Sequence, residues 1–145
     1  MRRLNDPLIL AMAPALLLAL LPALLLALAP SLAAAAGSWV ANAPSVRVVM
    51  AERESLSSPL RPPPGSVHEG EIHSIVWRFV QPPGSALNAR LCHAHRCMPL
   101  SAARGQSQAL AGLPADAALR FHFSLLPGQR RAVRVEGLQV IVNYR

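Results

Sequence analysis

Strict alternation of apolar and polar side chains is the feature that most limits how this chain can fold. From Leu119 to Leu125 every second residue is apolar, and the residues between them are polar or charged. The stretch 72–81 has the same period and places Ile75, Trp77 and Phe79 on one face. A period of two indicates a β-strand, because successive side chains of a strand point to opposite faces of its sheet. Both stretches are therefore predicted to be strands with one face in a core.

Shorter strand-like runs follow one another through residues 37–145, separated by turns rich in proline and glycine. No helical period interrupts them. Gly137 is predicted to separate the last two strands, and the final strand is predicted to be central because both of its faces carry apolar residues. The other predicted strands are 45–50, 88–93, 96–101, 132–136 and 139–144. Many short strands in a segment of this length predict a small, single-domain antiparallel β-sandwich.

The first 36 residues have the three parts of a secretory signal peptide. Two arginines give a positive start, a long apolar run follows, and Ala34 and Ala36 form a small-residue cleavage site. We therefore predict a signal peptide over 1–36, cleaved between Ala36 and Gly37, and one domain over 37–145. The alternative is an uncleaved membrane anchor, since the apolar run approaches the length that spans a bilayer. Two prolines inside the run favour the signal peptide.

Residues 37–145 are basic, with arginine as their only basic residue apart from histidine and a net charge of about +6. An exported basic domain can meet acidic protein, acidic polysaccharide or anionic lipid, whereas export argues against nucleic acid. One alternative function is therefore a cell-envelope module that binds acidic glycan or peptidoglycan. The sequence also leaves a homo-oligomer open. The residues selected as a candidate interaction surface are Trp39, Arg78, Arg130 and Arg131.

Cys92 and Cys97 are the two cysteines of the chain, and three chemistries compete for them. Export to an oxidising compartment favours a disulfide, and four intervening residues fit a hairpin in which the cysteines oppose each other. A metal site with His93 and His95 is the second, but ligands so close in sequence wrap a tetrahedral ion poorly. A redox pair is the third, and it lacks the usual two-residue spacing. A disulfide and no metal are predicted, with both histidines in an exposed loop.

The chain shows no convincing catalytic set. Glu52 and Glu54 are spaced two apart, as are Glu69 and Glu71, and paired carboxylates on a strand can hydrolyse a glycosidic bond. Both pairs border loops, however, and Asp116 lies in a predicted turn where a structural role is expected. We therefore predict a non-catalytic domain without a cofactor. A small hydrolase that uses a glutamate pair is the enzymatic alternative.

Several short motifs, taken in their order along the chain, carry a family resemblance. They are Gly37-Ser38-Trp39, Trp77-Arg78, Arg90-Leu91-Cys92 with Arg96-Cys97, Leu119-Arg120-Phe121, and the terminal Gln139-Val140-Ile141-Val142-Asn143-Tyr144. In this order and spacing they resemble the flagellar protein FlhE family, most strongly from Ile75 onward. The family pattern has the cysteine pair without histidines between, which further weakens the metal hypothesis.

The resemblance implies a small periplasmic accessory of the flagellar export apparatus that acts by protein–protein contact and not by catalysis. It implies partners among the export-gate or basal-body proteins. The implied role is to limit proton leakage through the export gate or to act like a chaperone in flagellar assembly. With the signal peptide cleaved, no stable membrane span is expected.

Overall fold

The described part of the chain consists of strands and the turns between them. A computed structural model describes residues 36–67 and 69–145. Within these ranges no helix is long and apolar enough to cross a membrane. The predicted signal peptide lies outside them except for Ala36. The strands are β1 (Gly37–Ala43), β2 (Val46–Val48), β3 (Ser55–Leu56), β4 (Ile72–Val80), β5 (Leu87–His93), β6 (Arg96–Pro99), β7 (Arg104–Ser107), β8 (Leu119–Leu125) and β9 (Val133–Tyr144).

The strands form two antiparallel sheets. In the five-stranded sheet β1, β9, β4 and β7 lie side by side in that order, and β2 pairs with β9. The four-stranded sheet has the order β3, β8, β5, β6. The ring of Phe79 on the first sheet lies 6.1 Å from Phe121 and 5.3 Å from Phe123 on the second, measured between centroids, so the sheets share one core. The predicted all-β, antiparallel fold is confirmed.

Alternation correctly predicts the core-facing residues of β4 and β8. Arg78 and Val80 on β4 are exposed, whereas the residues of the predicted apolar face are buried. The final strand is central, as predicted, because β9 pairs with β4 on one side and with β1 and β2 on the other. The buried residues of the two alternating stretches are Ile75, Trp77 and Phe79 on β4 and Leu119, Phe121, Phe123 and Leu125 on β8.

The prediction that Gly137 separates two strands is wrong, because this glycine bends one long strand instead. Gly137 has a φ of 61°, and the pairing of β4 with β9 changes register between Arg78 and Val80. Both features are those of a β-bulge, in which glycine adopts the positive φ that other residues avoid. Since a bulge adds one residue, the buried side chains change from odd to even positions across it. They are Val133 and Val135 before the bulge and Leu138, Val140 and Val142 after it.

Three strands are not predicted by the sequence pattern: β1, β3 and β7. β3 has only two residues, and β7 is a polar strand of four. β1 combines glycine, alanine and polar residues with one tryptophan. Each becomes a strand by pairing with a neighbour, namely β9, β8 or β4. Backbone pairing from a distant part of the chain therefore defines these strands more than their own side chains do.

A disulfide joins Cys92 and Cys97 across the hairpin of β5 and β6. The two residues are opposed in register with their Cα atoms 4.0 Å apart. Ala94, in the two-residue turn, has a φ of 51°, and a positive φ at this position suits the twist of a tight hairpin. Closing so small a ring contributes about 2 kcal/mol in the chain-entropy model. The bridge therefore fixes the register of one hairpin and is a minor part of the stability of the fold.

Candidate functional site

The sequence predicts that Trp39 is part of an interaction surface, and the structure corrects this prediction. Its side chain is only 3% exposed, and its Nε1 donates a hydrogen bond to the carbonyl oxygen of Ala115 at 2.9 Å. Trp39 faces the core because β1 pairs with β9 and places it opposite Val142, which is also buried. Trp39 therefore anchors the turn-rich segment around Ala115 to β1 and offers no surface for a ligand.

His93 is also misplaced by the sequence prediction, because it is buried and not in an exposed loop. It is the last residue of β5, 8% exposed, and its Nε2 lies 3.0 Å from the carbonyl oxygen of Pro114. A carbonyl oxygen only accepts, so Nε2 donates here. His95 is exposed in the turn, and the thiols of the hairpin are joined in the disulfide. Residues 36–67 and 69–145 contain no group of three or more His, Cys, Asp or Glu side chains placed to hold a metal ion.

Glu54 is held by an arginine and a histidine on the outer face of the four-stranded sheet. Its carboxylate accepts hydrogen bonds from Nη2 of Arg90 at 2.6 Å and from Nδ1 of His122 at 2.9 Å. Arg90 and His122 are opposed in register on β5 and β8. The hydrogen bond from His122, together with the nearby guanidinium of Arg90, lowers the pKa of Glu54. A carboxylate held ionised in this way is poorly suited to act as a general acid.

The remaining acidic candidates lie at exposed positions in loops and turns or directly before β4. Glu52 is exposed in the loop before β3, and Glu69 is exposed before β4. The backbone of Glu71 pairs with that of Arg145 through hydrogen bonds of 2.9 and 3.1 Å. Asp116 lies in the turn-rich segment after Ala115, as predicted, and is exposed. These residues are therefore surface carboxylates, and Glu71 also takes part in a backbone pairing.

Replacing Glu54 with glutamine is expected to lower the free energy of unfolding at pH 7 by about 0.5 kcal/mol, since the ion pair with Arg90 that it removes is well exposed. The pKa of Glu54 is lowered in the folded protein, so its stabilising effect is present above the usual pKa of 4.5 and disappears as the pH falls through the lower folded value. Urea unfolding of both proteins at pH 7 and at pH 3 measures the difference, which should be smaller at pH 3 than at pH 7.

The matched control for this prediction is Glu136→Gln. Glu136 accepts a 3.1 Å hydrogen bond from Nε of Arg134, but both side chains are more than 60% exposed. We therefore expect a smaller effect than at Glu54 at pH 7. An equal loss in the two variants, or a Glu54→Gln difference that persists undiminished at pH 3, would contradict the structural role given to Glu54.

Arg78 lies on the outer face of the five-stranded sheet beside a second arginine. It is opposed in register by Arg104 of β7, and both side chains are exposed. Neither takes part in a salt bridge within residues 36–67 and 69–145. Val76 is half-buried and Val80 is 64% exposed on the same face of β4. These four residues, Val76, Arg78, Val80 and Arg104, are called the basic patch below.

Arg130 and Arg131 lie away from the basic patch. Both are exposed in the connection between β8 and β9. Arg78 is in register with Gln139, which is six residues beyond the first residue of β9, or about 20 Å along a strand. The structure therefore does not unite the arginines that were selected from the sequence. It pairs Arg78 instead with Arg104, which the sequence pattern did not single out because β7 has no alternation to mark its faces.

A shallow cleft of about 540 Å³ lies at the ends of β1, β4 and β9. Gly37 lines it, and a Cβ atom at this position would lie 2.5 Å from Cζ and Oη of Tyr144. The ring of Tyr144 therefore occupies the space that a side chain at position 37 would need. His73 also lines the cleft, and none of the described lining residues has an acidic side chain.

Comparison with known proteins decides the family. The model of a family described as flagellar protein FlhE matches residues 48–145. The chain belongs to the FlhE family. Flagellar protein FlhE of Yersinia enterocolitica is 37% identical over 120 residues, which cover 77% of this chain and 83% of that protein. Flagellar protein FlhE of Salmonella typhimurium strain LT2 is 34% identical over 118 residues, which cover 77% of this chain and 88% of that protein.

A solved structure described as the crystal structure of FlhE shares the fold. It matches with a TM-score of 0.70 at 33% sequence identity, covering 77% of this chain and 99% of that chain. The part matched by the FlhE family model includes the disulfide hairpin and both arginines of the basic patch, whereas β1 precedes it. The family resemblance carried by the sequence motifs is thus confirmed.

Proposed function

We propose that this chain is a periplasmic accessory of the flagellar export apparatus and that it acts by protein–protein contact, without catalysis. Membership of the FlhE family is the observation that carries the proposal. The disulfide supports a location outside the cytoplasm, because disulfides persist in oxidising compartments. In this proposal the signal peptide over 1–36 is removed between Ala36 and Gly37, and the domain over 37–145 works in the periplasm.

The basic patch is the surface proposed to make this contact. Two guanidinium groups opposed on adjacent strands repel each other, and like charges in this position destabilise a sheet. A partner that carries carboxylates would relieve this repulsion. The exposed side chain of Val80 beside Arg78 adds apolar surface for the same partner. The proposed partner is therefore an acidic, partly apolar surface of an export-gate or basal-body protein.

Two roles for such a contact are distinguishable in cells. A protein that limits proton leakage through the export gate, when deleted, leaves flagellated cells with an acidified cytoplasm in acidic medium. A chaperone-like protein, when deleted, leaves cells with fewer or incomplete flagella at an unchanged cytoplasmic pH. Cytoplasmic pH and counts of flagella in the same deletion strain separate these roles.

The test of the proposed surface is complementation of the deletion strain. The double variant Arg78→Glu/Arg104→Glu is expected to restore swimming and swarming no better than an empty vector. The control, Arg130→Glu/Arg131→Glu, makes the same change of charge in the β8–β9 connection and is expected to restore both. Immunoblots of periplasmic fractions verify equal amounts of each protein. Normal swimming, swarming and cytoplasmic pH in the deletion strain would overturn the proposed function.

The glycan-binding alternative is weakened by the position of Trp39, whose burial removes the aromatic side chain that could stack on a sugar. Purified sacculi test this alternative directly. Two results together would favour the envelope module. The first is salt-sensitive retention of the wild-type protein on sacculi that the Arg78→Glu/Arg104→Glu variant lacks, and the second is unchanged motility in the deletion strain.

A further inference from the structure

Among the described residues, the outer edge of β1 is an unpaired strand edge. β1 pairs with β9 on one side, through all seven of its residues from Gly37 to Ala43. Within residues 36–67 and 69–145 no strand pairs with its other side, and no backbone hydrogen bond joins it to another segment there. In an antiparallel pair every second residue turns its N–H and C=O away from the partner. β1 therefore presents a row of free backbone donors and acceptors.

This edge lacks the features by which proteins usually protect strand edges. Charged residues, prolines, bulges and short length keep an edge strand from pairing with another chain. β6 has an arginine and a proline, β7 has an arginine in four residues, and β3 has only two residues. The sequence of β1 contains neither charge nor proline, its pairing with β9 has no register shift, and Val40 at its centre is 45% exposed.

We propose that β1 is a homodimer interface, in which the β1 strands of two copies pair antiparallel about a two-fold axis at Val40. The sequence of β1 is complementary to itself in this register. On the outer face Val40 meets Val40 of the partner subunit, and Ser38 meets the partner's Asn42, so that apolar faces apolar and polar faces polar. On the core side Trp39 meets the partner's Ala41, which places a large side chain beside a small one. This interface goes beyond the proposed function and does not depend on it.

Charge favours a second copy over an acidic or basic partner at this edge. Residues 37–145 carry a net charge of about +6, so two copies repel each other unless they meet at an uncharged surface. The side chains of β1 are uncharged, and the nearest arginine along the chain is Arg47, four residues beyond the end of β1. Pairing through β1 is therefore a way for two copies to associate without opposing like charges. It would join the two five-stranded sheets into one continuous sheet.

Covalent trapping tests the register of the dimer. Directly opposed residues of an antiparallel ladder form either a hydrogen-bonded or a non-hydrogen-bonded pair, and in both their Cα atoms lie within the range that a disulfide spans. The variant Val40→Cys, expressed as the full chain and recovered from the periplasm, is therefore expected to form a disulfide-linked dimer on a non-reducing gel. The control is Val80→Cys, a more exposed position on the same face of the sheet but on the interior strand β4. We expect at least ten times less covalent dimer from the control.

A second measurement uses the wild-type protein without a new thiol. Sedimentation velocity at increasing concentration is expected to show a monomer–dimer equilibrium that Val40→Lys abolishes, while the melting curve shows that the variant is folded. A covalent yield from Val40→Cys no greater than that from Val80→Cys would overturn the proposal. A wild-type protein that stays monomeric at every concentration would also overturn the proposal. This includes the case in which the edge of β1 pairs with a strand of a different protein.

Discussion

Phe123→Ala is expected to lower the free energy of unfolding by about 3–5 kcal/mol, the usual cost of removing a buried phenylalanine ring. Phe123 is fully buried, and its ring is stacked on Phe121 at 5.7 Å with an interplanar angle of 9°. It also meets Phe79 of the opposite sheet edge to face at 5.3 Å. The variant thus loses packing within one sheet and between the two sheets. Urea unfolding followed by tryptophan fluorescence measures the effect.

The large loss of unfolding free energy expected for Phe123→Ala is due to the burial of Phe123 in the shared core and not to its position in a strand. Leu56→Ala is the matched control, because Leu56 lies on β3, which pairs with β8, but is 48% exposed. A change at such an exposed position is expected to alter the free energy of unfolding by no more than about 0.5 kcal/mol. Similar losses in the two variants would show that Phe123 does not form the centre of the core.

Gly105→Ala is expected to destabilise the protein by about 1–3 kcal/mol, although alanine is normally the better strand residue. A Cβ atom at position 105 would lie 2.5 Å from Cζ2 and 2.8 Å from Cη2 of Trp77, its opposed neighbour on β4. Trp77 has little freedom to move, because its ring is buried and its Nε1 donates a hydrogen bond to the carbonyl oxygen of Ala102 at 3.0 Å. Thermal unfolding of the purified variant measures the loss.

Gly37→Ala is the comparison variant for Gly105→Ala, because the ring that its Cβ would meet, Tyr144, can move and Trp77 cannot. The added Cβ would again meet an aromatic ring at 2.5 Å, but the atoms it meets are the outer end of Tyr144. Tyr144 is half-buried, and its hydroxyl makes only a 3.2 Å hydrogen bond to Ser66 at the surface. The ring can therefore turn aside, and a loss of less than about 1 kcal/mol is expected. Equal losses at the two glycines would contradict the role given to Trp77.

The two proposed surfaces are compatible with each other. A two-fold axis at Val40, perpendicular to the sheet, would put the outer faces of both five-stranded sheets on the same side. Both basic patches would then face one way, which would double the contacts available to an extended acidic partner. The effect of Val40→Lys alone on motility therefore depends on whether the partner binds one patch or both.

Much of the core could be predicted from the sequence, because alternation is a local property of a strand. The buried faces of β4 and β8 were readable from their period of two, since a strand turns each successive side chain to the opposite face whatever its partner is. The predicted export to an oxidising compartment and a four-residue spacing likewise indicated the disulfide. The order of short motifs indicated the FlhE family without any knowledge of the pairing between strands.

The sequence by itself thus determined the fold class, the core-facing side of the strongest strands, the disulfide and the family. Only the tertiary structure decided that Trp39 and His93 are buried, that Glu54 joins Arg90 and His122, and that Arg104 lies beside Arg78. The physical reason is that these contacts depend on register between strands distant in the chain. Register is set when the two apolar faces pack together, and a shift of one residue would turn every side chain of a strand to the other face.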